Sequence, residues 1–209
     1  MSVCAIEGNF DDAQSSVKQI FTDPKLKEKL GEQGMLFSSA NSINWGRLLP
    51  QIVYYVYAYL ELVRQRKLIL GEPMDVVVPT GNFGNILAAY YARKMGLPIR
   101  KLVCASNANK VLTDFIRTGT YDRRREFHAT ASPSMDILIS SNLERLLYDL
   151  CGEDSETLSG WMKDLAETGV YSVGDAVREK VQQLFYGGFC GDGSTFETIR
   201  ELWDTEGYL

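Results

Sequence analysis

Histidine is nearly missing from this chain of 209 residues, where His128 stands alone. Cysteine is sparse too: Cys4, Cys104, Cys151 and Cys190 lie far apart and form no Cys-x-x-Cys pair. One imidazole and four scattered thiols do not assemble a usual zinc site, so no metal is expected. Unpaired thiols fit a reducing, cytoplasmic setting. Long apolar runs are also lacking. The longest, Leu48 to Leu62, contains Pro50, Gln51 and Glu61 and is too short and too polar for a bilayer, so no membrane partner is expected. No basic-then-apolar leader opens the chain, so nothing in it points to secretion. Nor is there an excess of basic charge. Lysine and arginine number 22 against 27 acidic residues, a net charge of -5, which leaves no electrostatic footprint for nucleic acid.

What is present is ordinary globular composition, 45% hydrophobic and 23% charged. The length allows one large domain or two small ones. Val3 to Ile6 reads as a short strand, and Asn9 as the cap of a helix with Asp11 and Asp12 in its first turn. Asp23-Pro24 starts a second helix, and Met35 to Phe37 is a possible strand. One long helix is expected from about Gly46 to Arg66, with tyrosines at 54, 55, 57 and 59 all round it, hence largely buried. Asp75 to Val78 has the β-branched run of a buried parallel strand. A helix over Ile86 to Met95, a strand over Lys101 to Ala105 and a helix capped at Asn107 or Asn109 follow. This alternation predicts an α/β fold with a parallel sheet and flanking helices. Beyond Pro133 the pattern turns mainly helical, with helices near 142–150, 155–168, 173–186 and 194–204. The stretch from Gly187 to Gly193 reads as a glycine-rich loop, and Arg123 to Arg125 as a solvated one.

The most informative segment is Val78-Pro79-Thr80-Gly81-Asn82-Phe83-Gly84-Asn85. A buried strand feeds a glycine-containing loop that opens a helix. The first amides of a helix have no partner within it, and the helix dipole favours an anion there. Gly81 and Gly84 would let backbone approach a phosphate, and Thr80 and Asn82 could add side-chain donors. The loop is neither G-x-G-x-x-G nor a P-loop, which points to a smaller phosphorylated cofactor rather than a dinucleotide or nucleoside triphosphate. A plain strand-helix turn is the alternative. Asn41-Ser42-Ile43-Asn44-Trp45-Gly46-Arg47 gathers amides, a hydroxyl and a guanidinium at a helix start. It reads either as a second anion site or as a capping turn with Trp45 in the core. Ser132-Pro133-Ser134-Met135-Asp136-Ile137, taken alone, reads as a loop with a proline-started turn.

Together, and in this order, the Glu7 to Asp12 run and these three segments resemble threonine synthase of the bacterial and fungal type. The resemblance implies the fold of tryptophan synthase β, a fold-type II pyridoxal-phosphate fold. Residues 1–40 would belong to its smaller α/β domain, 41–132 to the core of the large cofactor domain, and 133–209 to a helical extension of that domain. It implies that Gly81, Asn82, Phe83, Gly84 and Asn85 cradle the phosphate of pyridoxal 5'-phosphate. Asn41, Ser42, Asn44 and Arg47 would lie near the substrate O-phospho-L-homoserine, with Arg47 on its phosphate. The family's Schiff-base lysine stands in a Phe-Lys-Asp context, which these residues lack, so no catalytic residue is assigned and the chain by itself is expected to be inactive. The oligomeric state stays open between monomer and homodimer. Two rival readings remain: a dehydratase or threonine-synthase-like enzyme of the same fold, and a non-catalytic phosphate-binding or interaction module.

Overall fold

The computed structural model describes residues 5–8, 10–39 and 42–208. In chain order the elements are α1 (Phe10–Thr22), α2 (Pro24–Gly31), α3 (Trp45–Leu48), α4 (Ile52–Arg64), β1 (Met74–Pro79), α5 (Gly84–Lys94), β2 (Ile99–Ser106), α6 (Val111–Thr118) and β3 (Thr120–Asp122). They continue with α7 (Leu143–Leu150), α8 (Ser155–Glu167), β4 (Val170–Ser172), α9 (Asp175–Leu184), β5 (Phe185–Phe189) and α10 (Asp192–Glu206).

The expected parallel sheet is present. β1 pairs with β2 and β2 with β5, all parallel, in the order β1-β2-β5. Parallel neighbours need crossovers, and the helices supply them. α5 packs on β1 and β2, and α6 and α9 pack on β2 and β5. The helical turns place Ile86, Leu87, Ala88 and Ala89 in a core shared with Leu102, Phe115 and Phe185. Each large apolar side chain so buried contributes about 1.5–3 kcal/mol. A small antiparallel pair, β3 with β4, stacks Tyr121 on Tyr171 with centroids 5.4 Å apart.

Several expectations need correction. The long helix from Gly46 is interrupted. Pro50 sits in a 3-10 turn over Leu49–Gln51, because proline offers no N–H to an α-helical ladder. α4 is buried on one face only, through Ile52, Tyr55 and Tyr59, while Tyr54 and Tyr57 are 60% and 69% exposed. The valine run of β1 is parallel as expected but lies at the sheet edge, with Val77 64% exposed. Met35 to Phe37 is not a strand, and neither are Ala5 and Ile6; Val3, Cys4 and the Asn9 cap lie outside the described residues. The segment from Gly187 is not simply a loop: Phe185–Phe189 forms β5, the third strand of the main sheet. So the stretch 133–209, mainly helical, also contributes a strand to the main sheet.

Asn107 and Asn109 do not cap α6, whose N-cap Lys110 makes no side-chain cap bond. Both asparagines donate instead to the Asp136 carboxylate, at 2.6 and 3.1 Å. That carboxylate is 5% exposed and also accepts from the Thr130 N–H and hydroxyl at 2.8 and 2.7 Å. A buried charge needs such a shell of donors. The arginine run is more than a solvated loop. Arg125 is half-buried and reaches Asp114 at 2.8 Å, and Arg124 forks onto Asp122, holding that carboxyl down at about 2. No helix among the described residues is long and apolar enough to cross a membrane, and no group of three metal-ligating side chains gathers among them.

Candidate functional site

The carboxyl ends of the three parallel strands are tied level with one another. The Thr80 N–H donates to the Ala105 carbonyl at 2.9 Å and the Cys190 N–H to the Ser106 carbonyl at 3.0 Å. In open α/β sheets this is the edge where ligands bind. The loop between β1 and α5 stands there. Phe83, the residue before α5, has φ +64 and ψ 1, a left-handed conformation uncommon for a bulky residue. It turns the chain sharply into the helix while its ring enters the core, 5.6 Å from Phe185.

None of the amides of Gly81 to Ile86 finds an acceptor among the described residues; the Leu87 N–H is the first to bond back, to the Phe83 carbonyl at 3.0 Å. Six consecutive amides with no acceptor among the described residues, at the mouth of an 11-residue helix, are what an anion site built of backbone dipoles requires. The Asn82 side-chain NH₂ group likewise has no partner among the described residues. Its oxygen lies 3.5 Å from the Ser141 hydroxyl. Other expected donors are committed elsewhere. The Thr80 hydroxyl donates to the Val78 carbonyl at 2.6 Å and is buried, so it is not available to a ligand. The Asn85 side-chain oxygen accepts from the Tyr55 hydroxyl. Burial raises that phenol to about 12, so it remains a donor at any working pH. Phe83, with its ring in the core, therefore offers the loop its amide alone, whereas the Asn85 side-chain NH₂ group has no partner among the described residues.

The two loop glycines stand tight against protein. A Cβ on Gly81 would lie 3.0 Å from the Ser134 carbonyl oxygen and 3.3 Å from the Met135 Cα. A Cβ on Gly84 would lie 2.3 Å from the Ser42 hydroxyl and 2.6 Å from its Cβ. The missing side chains make room for protein, and it is the other two motifs that occupy the space. The structure thus brings all three sequence motifs onto one loop.

In the Asn41 to Arg47 turn, Asn41 lies outside the described residues. Asn44 caps α3, accepting from the Gly46 N–H at 2.9 Å, and its NH₂ group donates to the Ser39 carbonyl at 3.1 Å. Trp45 is not in the core. It is 43% exposed, edge-on to Tyr91 at 5.2 Å and beneath the Arg145 guanidinium at 5.7 Å. Arg47 is exposed, and its guanidinium has no partner among the described residues.

Four residues escaped the sequence reading. Ser140, Ser141, Asn142 and Arg145, at the start of α7, grip the loop from behind. The Ser140 hydroxyl donates to the Gly81 carbonyl at 2.7 Å. Asn142, fully buried, donates to the Asn82 carbonyl and to the Ser42 hydroxyl, each at 2.9 Å. Arg145 donates to the carbonyls of Ser42 and Ile43 and to the Asn142 side-chain oxygen, at 2.8, 2.5 and 2.5 Å. The only available signal was a Ser-Ser-Asn run, which reads equally well as an ordinary helix start. Behind β1, Cys104 is fully buried, which pushes its thiol up to about 11 and keeps it unreactive.

A parallel sheet whose edge strand leads through a glycine-containing loop into a helix mouth, with amides that find no acceptor among the described residues, has the layout of an open α/β protein with its ligand edge at the carboxyl ends of the strands. No family model matches the chain. It is 49% identical to human threonine synthase-like 1 over 98% of its own length and 28% of that protein, and 38% identical to threonine synthase of Schizosaccharomyces pombe over 98% of its own length and 42% of that enzyme. The pyridoxal-phosphate-bound threonine synthase of Brucella melitensis superposes with a TM-score of 0.84 at 39% identity, over 97% of this chain and 41% of the other. The chain belongs to the threonine synthase family and spans less than half the length of these relatives.

Proposed function

We propose that the chain is the phosphate-anchoring part of a threonine synthase, an enzyme that converts O-phospho-L-homoserine and water to L-threonine and phosphate. The observation that carries this reading is the run of six open amides from Gly81 to Ile86. Their number and setting suit a phosphate monoester, and the family's Brucella member binds pyridoxal phosphate. Gly81, Asn82, Phe83, Gly84 and Asn85 hold the cofactor phosphate through their N–H groups, with the Asn82 side chain as a further donor. Once bound, pyridoxal phosphate supplies an electron sink for carbanion chemistry.

The protein's own residues orient and hold. Ser42, Asn44 and Arg47 lie on the substrate side in this reading, as does Asn41 by its place in the motif, with the Arg47 guanidinium, unpartnered among the described residues, as the partner of the substrate phosphate. The reading carries with it a cytoplasmic enzyme acting on one small molecule, as a monomer or homodimer. These 209 residues hold no Phe-Lys-Asp, so alone they bind without turnover. The direct test is to titrate the chain with pyridoxal phosphate and with pyridoxal. The phosphorylated form should bind at least about tenfold more tightly, a difference of about 1.4 kcal/mol. Equal affinities would sink the reading.

A second reading has one observation in its favour. Identity to the protein named threonine synthase-like 1 exceeds identity to the yeast enzyme, at 49% against 38%. In this reading the same cradle serves a related reaction on another phosphorylated or hydroxylated amino acid. A substrate panel on the longer protein separates the two, since phosphate release from O-phosphohomoserine marks the first and its absence the second.

A further inference from the structure

An anion cradle made of backbone amides needs those amides to face outward, and nothing in a loop guarantees it. In a trans peptide the C=O and the following N–H point in opposite directions. Fixing a carbonyl therefore aims the next amide. The Gly81 carbonyl is held by the Ser140 hydroxyl at 2.7 Å, which turns the Asn82 N–H the other way. The Asn82 carbonyl is held twice, by the Asn142 N–H at 3.2 Å and by its side-chain NH₂ group at 2.9 Å, which turns the Phe83 N–H away likewise. Phe83 then takes the left-handed conformation that lines successive amides into a nest.

We infer that Ser140 and Asn142 are positioning residues that aim the loop's amides at a phosphate by gripping its carbonyls from the protein side. This rests on the phosphate-cradle reading above. Asn142 is the stronger of the two. Its side chain is fully buried and fully used: both N–H groups donate, to Asn82 and Ser42, and its oxygen accepts from Arg145. The same amide thereby fixes the Ser42 turn, which lies against Gly84, to the cradle itself. One side chain sets the relation between the cofactor-phosphate loop and the proposed substrate turn. Neither residue donates to the anion in this scheme, so each acts through the loop backbone.

The test follows inorganic phosphate binding to the isotope-labelled chain, resonance by resonance, in the parent and in Asn142→Ala, Asn142→Asp and Ser140→Ala. Circular dichroism and thermal unfolding report on folding. In the parent, phosphate should shift the amides of residues 82 to 85 saturably. Asn142→Ala and Asn142→Asp should weaken binding by about tenfold or more, and Ser140→Ala by about threefold to tenfold, in folded protein. Should the Asn142 variants not fold, Ser140→Ala, which removes a single hydroxyl, decides alone. Unchanged affinity in the folded variants overturns the inference. If the parent shows no phosphate shifts at all, the cradle reading fails, and the positioning claim is judged on the backbone. A Phe83 φ that leaves the positive region in the variants supports it, and one that stays positive overturns it.

Discussion

Gly81 and Gly84 in the loop after β1, and Gly187 and Gly188 in β5, look alike in the sequence, each pair standing in a stretch that reads as a glycine-containing loop. Their settings differ. Gly187 lies inside the strand, where a Cβ would meet the Cα and carbonyl oxygen of Thr113 in α6, both at 2.9 Å. The helix backbone passes directly over the strand, and the Thr113 hydroxyl donates to the Gly188 carbonyl at 2.8 Å. Gly84 instead faces side chains, Ser42 at 2.3 and 2.6 Å and Asn142 at 3.3 Å, at the carboxyl edge of the sheet. Close approach explains glycine in both regions, but in β5 it joins two rigid elements, whereas in the loop it joins a site to its neighbouring turn. A glycine-rich stretch reports that something comes near without saying what.

Three substitutions can break or sharpen that comparison. Gly187→Ala should have the largest effect, because neither the strand nor the α6 backbone can yield cheaply. A loss of about 1–3 kcal/mol in urea unfolding is expected, and a neutral outcome would mean that α6 is free to move off β5. Gly84→Ala should cost less, about 1–2 kcal/mol, since what it meets is side chains, Ser42 and Asn142, rather than the backbone of a packed helix. It should weaken phosphate binding as well, and adding Ser42→Gly to the same chain should restore most of both losses. Failure of that rescue would show that Gly84 matters for something other than room for Ser42. Gly188→Ala should be the mildest, within about 0.5 kcal/mol. Its nearest neighbour, a ring carbon of Tyr186, lies at an ordinary 3.8 Å. A large loss there would erase the contrast between the two glycines of β5.

Much of the fold was legible in local pattern. The Val76 to Val78 run and the helix starts after Asp23 and Asn44 stand where periodicity and cap chemistry put them, and the helix expected from Ile86 is present but opens two residues earlier, at Gly84. Other features were not, for nameable reasons. β3, β4 and β5 are three to five residues long, too short for alternation to register against flanking helices. Apolar character all round α4 signalled a wish for burial, but a helix cannot specify what covers it, and among the described residues its outer tyrosines are exposed. Asn107 and Asn109 looked like caps because asparagine bonds readily to nearby backbone; here a buried carboxylate 27 to 29 residues on competes for them and wins.

The site divides in the same way. That residues 80 to 85 form a strand-to-helix loop with amides to spare follows from the sequence itself, because helix geometry leaves the first N–H groups unbonded wherever a helix begins. Which way those amides face is a tertiary matter. It depends on carbonyls held from 59 to 60 residues away by Ser140 and Asn142, and on Ser42 pressed against Gly84. Hydrogen bonds between distant segments leave no period in the chain, so only the folded arrangement fixes the direction of the donors.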